Sequence, residues 1–156
     1  MLNTDTSQPD IETFRSDIEP QQPDDSGTSR FLLVTGAILA ALAVATGAFG
    51  AHVVEGLLTP ERFDTYQTAV QYHFYHALGL LITGITCRIA GVSSLLQWSG
   101  YLMLTGVIIF SGSLYLLTLT DTAWLGAITP IGGVAFITAW ILYALGVYRQ
   151  LGVASE

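Results

Sequence analysis

From Phe31 onward the chain alternates long apolar runs with short polar interruptions, and the lengths of the runs set the first expectation. Phe31 to about His52, Tyr72 to Ala90, Gly100 to Thr120 and Trp124 to Tyr148 are each long enough to cross a hydrocarbon core ~30 Å thick, which takes about twenty helical residues. The links are short, so neighbouring spans should run antiparallel in an up-down-up-down bundle. The pattern predicts an all-α integral membrane protein with four transmembrane helices over residues 31–150.

The link between the first two spans has a pattern of its own. Thr59 is an N-cap candidate, Pro60 sits at the first helical position and Glu61 follows, which together mark a helix start. Phe63, Tyr66, Val70 and Phe74 then recur at helical spacing, with Glu61, Arg62, Asp64 and Gln67 between them. This predicts a short amphipathic interfacial helix leading directly into the second span. Pro130 leaves two options: it begins the regular part of the fourth helix with Thr129, or it kinks that helix at Gly132–Gly133.

Helix contacts are also written in the pattern. The first span carries small residues four apart at Gly36/Ala40, Ala37/Ala41, Ala43/Gly47 and Gly47/Ala51, and such pairs let helix backbones approach closely in lipid. Thr83, Thr86, Thr105, Ser111, Ser113 and Thr138 supply hydroxyls that bond a neighbouring helix or their own backbone.

Composition and charge then narrow the class. Half of the 156 residues are hydrophobic and only 11% are charged, well under the usual quarter of soluble proteins. The net charge of −7 is concentrated in residues 1–30, where seven carboxylates face Arg15 and Arg30. That stretch, rich in Asp, Ser, Pro and Gln, is expected to be a disordered acidic cytoplasmic tail, with an acidic docking tail as the functional alternative. It has acids where a secretory signal would be basic. Residues 151–156 form a short C-terminal tail. No lysine is present, and no basic patch exists to neutralise phosphates, so a nucleic-acid partner is not expected. The single cysteine, Cys87, excludes an internal disulfide and reads as a small packing residue. Arg15, Arg30, Arg88 and Arg149 fall on one side of the four-span arrangement and Arg62 on the other, so the positive-inside rule places both termini in the cytoplasm. Trp98 and Tyr148 should mark the inner interface, and Tyr72, Tyr75, Tyr115 and Trp124 the outer one.

Four motifs in order carry a resemblance: "GAFGAH" (47–52), "TYQTAVQYHFYHAL" (65–78), "FSGSLYLL" (110–117) and "LGAITPIGG" (125–133). Over roughly residues 31–150 the chain resembles the family called domain of unknown function 423, which includes small four-helix membrane proteins similar to transmembrane protein 256. The resemblance implies a bundle of four transmembrane helices, with no established activity, in bacterial inner membranes or in mitochondrial and other eukaryotic membranes. The chain departs from the family pattern in its acidic tail. It also has Val53, Val54 and Glu55 after His52, where a glycine is expected.

All three histidines fall at one depth. His52 ends the first span, and His73 and His76 open the second on one helical face. Glu55 lies one turn beyond His52, so His52, Glu55, Gln71, His73 and His76 form a candidate polar cluster at the outer surface. Three functional readings of this cluster compete with a structural one. A divalent metal would find suitable donor types but no paired-ligand spacing. A bis-histidine haem needs opposed histidines deep between helices. Proton or ion transport needs ionisable groups through the membrane, and between the interfaces spans two to four have none. The structural reading makes His52 and His76 a hydrogen-bonded clamp across the first helical hairpin, since buried polar groups in lipid must be paired. Ser111 and Ser113 lack a base at their depth, and Cys87 has only Arg88 beside it, so nucleophilic catalysis is not expected. No metal or cofactor is expected. The function expected is non-enzymatic: a scaffold or accessory subunit of the bacterial inner membrane, packing in the lipid bilayer against itself or a larger complex. An outer-face His/Glu site for an ion or small ligand is the alternative.

Overall fold

The computed structural model describes residues 25–153, and side chains over residues 27–150. Among the described residues there are four long helices and no strand. Helix α1 spans Asp25–Phe49 and is prolonged by a π-turn at Gly50–Val54. Helix α2 is Pro60–Ala90. Helix α3 spans Ser94–Thr120, with a π-turn at Val107–Ser111 inside it. A 3₁₀ turn, Ala123–Ala127, leads into α4, Thr129–Val153. Three of the four, over Gly27–Val54, Ser94–Thr120 and Ala123–Gln150, are long and apolar enough to cross a membrane.

Several boundaries differ from the expectation. Helix α1 starts at Asp25, so residues 25–30, assigned above to the tail, are helical. No proline follows Pro23 until Pro60, so nothing in the sequence there interrupts a helix. The expectation for residues 1–24 and 154–156 lies outside the described residues. Helix α3 begins at Ser94 rather than Gly100, because Ser93 caps it by accepting from the Leu96 amide. The amphipathic stretch from Pro60 is the opening of α2 itself, without a break before Ala90. Pro130 is the second residue of α4, the first of the two options, where its missing N–H costs nothing.

Helices α2 and α3 form the central pair. Helix α1 packs along α2 and reaches α3 through Leu32 against Gly100 and Phe31 against Tyr101. Helix α4 packs along α3 and reaches α2 through the Thr86–Tyr143 hydroxyl pair at 3.0 Å. One core joins all four: Leu32, Leu80, Cys87, Leu96, Met103 and Ala139 are buried together. Close approach is set by small residues. A Cβ at Gly36 would lie 3.0 Å from the Ala77 carbonyl oxygen, and one at Gly132 would lie 2.5 Å from the Phe110 backbone nitrogen. Of the small residues in α1 and its π-turn, Gly36, Ala43 and Gly50 are buried, while Ala37, Ala41, Ala45 and Ala48 face outward.

The two ends are held differently. At one end, Gln150 donates to the Gly91 carbonyl at 2.8 Å, tying α4 to the α2–α3 link. Arg30 and Arg88 share a groove at that end, and Arg149 lines another beside Ser93. At the opposite end Arg62 is ion-paired with Asp121, joining the start of α2 to the α3–α4 link.

Candidate functional site

The four sequence motifs meet in the half of the bundle that contains Arg62. Gly50, at the π-turn, lies under the Tyr66 ring, where a Cβ would come within 2.6 Å of the ring carbon Cε1. The Tyr66 hydroxyl donates to the Thr46 carbonyl at 2.8 Å. Tyr66 and Tyr115 meet edge to face with centroids 5.4 Å apart. Ser113 and Thr129 pair their hydroxyls at 2.8 Å across α3 and α4.

A chain of polar groups runs through this half. The Thr46 hydroxyl donates to the Ala43 carbonyl at 3.1 Å and lies 3.3 Å from the Tyr115 hydroxyl. The Tyr115 hydroxyl is in turn 3.3 Å from Nδ1 of His73. Each hydroxyl has one proton, so the arrangement that makes all three bonds at once has Thr46 give its proton to Ala43, Tyr115 give its own to Thr46, and His73 Nδ1–H donate to Tyr115. His73 Nε2 is then a bare acceptor. It is buried and, with the Ser111 hydroxyl, has no hydrogen-bond partner among the described residues.

His76 points elsewhere. Its Nδ1 donates to the Tyr72 carbonyl at 2.8 Å. Its ring stacks on Phe136 of α4, with centroids 3.3 Å apart and planes 11° from parallel. Phe110 and Tyr72 complete an aromatic layer there, their rings 4.6 Å apart. The two neighbouring histidines thus serve two interfaces, His73 toward α1 and α3 and His76 toward α4.

The remaining members of the expected cluster are on the surface. His52 and Glu55 are exposed on or just after the π-turn, and Gln71 is exposed and donates to the Tyr75 hydroxyl at 2.8 Å. Among the described residues, no hydrogen bond joins His52 to His76, so the expected clamp does not form. The π-turn carries His52 outward, and the helical hairpin is closed instead by Tyr66 on Thr46. No three His, Cys, Asp or Glu side chains gather to hold a metal ion among the described residues. A surface groove of about 270 Å³ lies beside this region, between Gly47, Gly50 and Ala51 on one side and Phe63, Tyr66, Val70 and Gln71 on the other.

Sequence reasoning passes over Tyr66, Thr46 and Tyr115. The periodicity presents Tyr66 only as one apolar position of an amphipathic face, and Tyr115 as part of an interfacial belt. Tyr72, Tyr75 and Trp124 are exposed as a belt requires, but Tyr115 is half-buried in the polar chain. Of the hydroxyls expected as glue, Thr86 and Ser113 bond across helices, and Thr105 and Thr138 bond their own backbone.

Long apolar helices, a core of close glycine contacts and polar side chains turned inward define a helical membrane protein. The chain belongs to the family described as "Protein of unknown function (DUF423)", whose pattern matches residues 46–133, from Thr46 through the last of the four motifs. It is 45% identical to the UPF0382 membrane protein YwdK of Bacillus subtilis over 123 residues, 78% of this chain and 99% of that one. It is 43% identical to the UPF0382 membrane protein SH2409 of Staphylococcus haemolyticus over 124 residues, 79% of this chain and 99% of that one. No solved structure matches.

Proposed function

We propose that this chain is a non-enzymatic membrane protein that crosses the bacterial inner membrane four times and serves as a scaffold or accessory subunit, packing against itself or a larger membrane complex. The observation that carries the reading is the outer face of α1. Ala37, Ala41, Ala45 and Ala48 are exposed at helical spacing, beside the buried face that already packs on α2. Helices associate in lipid through small residues because their backbones can then approach closely, and this stripe offers a second such surface.

The fourth span rests on α2. Its polar side chains His73, His76 and Thr83 are buried, while Tyr72, Tyr75, Leu78, Ile82 and Ile85 are exposed. That is the distribution a helix needs beside lipid. Cytoplasmic termini are supported by Arg30, Arg88 and Arg149 at one end against Arg62, already paired with Asp121, at the other. The opening turns of α2, with Glu61, Arg62 and Asp64 beside Phe63 and Tyr66, would lie at the outer interface.

The test is extraction in a mild detergent with sizing and identification of co-migrating proteins, for the natural chain and for Ala41→Leu. The reading expects an assembly larger than one chain that Ala41→Leu weakens. A lone monomer in both cases would overturn it.

A further inference from the structure

At the arginine-bearing end, a groove of about 390 Å³ opens between α1 and α2, lined by Ser29, Arg30, Leu33, Val34 and Arg88. Arg30 and Arg88 are exposed, and neither has a carboxylate partner among the described residues. A second groove, about 360 Å³, flanks Arg30 on its other side and is lined by Gly27, Phe31, Val34 and Thr35. Each arginine heads an apolar stripe. On α1, Val34 and Ile38 follow Arg30 at four-residue spacing, and both are exposed. On α2, Ile85 precedes Arg88 by three residues and is also exposed.

We propose that this groove binds one anionic glycerophospholipid, with its phosphate held between the Arg30 and Arg88 guanidinium groups and its acyl chains along Val34, Ile38 and Ile85. The chemistry follows from the residue types. A guanidinium presents a planar fork that matches two phosphate oxygens at once, and basic grooves between transmembrane helices are suited to anionic headgroups. Arginine side chains at a helix end carry their charge to headgroup level while their stems lie on apolar surface. The depth of the site is fixed by α1, which is apolar enough to span on its own, and α2 packs against it. The other arginines among the described residues lack this arrangement. Arg62 is already ion-paired with Asp121, and Arg149 is the only arginine lining the groove beside Ala90 and Gly146.

The test is native mass spectrometry of the full-length protein released from detergent, after equilibration with phosphatidylglycerol or phosphatidylcholine of the same acyl chains. The natural chain is expected to retain one phosphatidylglycerol at least about tenfold better than phosphatidylcholine, a factor worth about 1.4 kcal/mol, and to lose that preference as salt rises. Arg30→Gln/Arg88→Gln should bind the two lipids alike while keeping its helical circular dichroism, and Arg149→Gln should behave as the natural chain. Arg30→Lys/Arg88→Lys keeps the charge but not the fork, so its preference should fall between those of the natural and glutamine proteins. The proposal is overturned by equal retention of both lipids, by a preference insensitive to salt, or by Arg149→Gln losing as much as the double variant. It is also overturned if the preference emerges only after the acids of residues 1–24 are changed to amides, which would make that tail the occupant.

Discussion

Tyr115 stands at the middle of a proton-ordered chain, accepting from His73 and donating to Thr46. Removing its hydroxyl would strand a buried N–H on one side and an acceptor on the other, and a stranded buried donor costs about 1–3 kcal/mol. Tyr115→Phe is therefore expected to lower the thermal midpoint measured in detergent, although the ring and its edge contact with Tyr66 remain. Pairing it with His73→Leu removes the stranded donor as well. The double variant should then lose less than the sum of the two single losses. Strict additivity would mean that the two groups are not bonded. Glu61 gives a residue-scale prediction in pH. Its own backbone N–H, and then the Thr59 hydroxyl, hold its carboxylate below the ordinary glutamate value. A carboxyl lowered on folding stabilises the fold above its unfolded value of about 4.3 and loses that contribution as pH falls through the lower, folded value. Glu61→Gln should flatten the acid side of the stability curve in that window only, and the change should be small because the group is fully exposed. A loss in acid as large as that at pH 7 would reverse the assignment.

Helix ends and crossings show which elements the sequence could announce. Pro60 with Thr59 and Glu61 marks the start of α2 through local chemistry, and the helix begins there. The two π-turns have no such mark. Nothing in "GAHVV" or "VIIFS" requires an extra residue in a helical turn; the need arises in packing, where Gly50 slips under Tyr66 and the Phe110 backbone meets Gly132. For the same reason sequence pattern puts His52 at the right end but on the wrong face. The Tyr115 chain is invisible to it, since partners 42 and 69 residues apart leave no periodicity. Two glycines make the element scale testable. Gly91 ends α2 at φ +87° and ψ 159°, a region essentially confined to glycine, so Gly91→Ala should cost about 1–3 kcal/mol. It has open space around it, so this loss would come from backbone conformation alone. At Gly132 the φ is ordinary and space is the obstacle. Gly132→Ala drives a methyl into the Phe110 backbone and should cost a comparable amount by forcing α3 and α4 apart. The two losses should separate by probe: disulfide crosslinking between cysteines introduced into α3 and α4 should fall for Gly132→Ala and persist for Gly91→Ala.

At the scale of the molecule, the order of helices explains why α2 is the least apolar of the four long helices. Helices α1 and α4 flank the central pair and are 17% buried across their apolar windows, whereas the α3 window is 39% buried. Helix α2 shares the centre with α3 and carries His73, His76 and Thr83 on its buried side. A helix whose polar face is turned to its neighbours can keep groups there that lipid would reject, because those helices satisfy or cover them. The order of insertion into a membrane should therefore differ from the order along the chain. Presented alone to the insertion machinery, the segment from Tyr72 to Ala90 should enter poorly, and entry should improve when α1 precedes it and α3 follows. Changing His73 and His76 together to leucine should raise insertion of the isolated segment by about thirtyfold or more, since each polar group withdrawn from hydrocarbon saves about 1–3 kcal/mol. The same double change in the full chain should lower thermal stability, because the Tyr115 contact and the bond to the Tyr72 carbonyl are both lost. Glycosylation-site mapping of the isolated segment and thermal unfolding of the whole protein measure the two sides. Opposite signs are expected from one pair of substitutions, and matching signs would show that the histidines of α2 are not sheltered by the bundle.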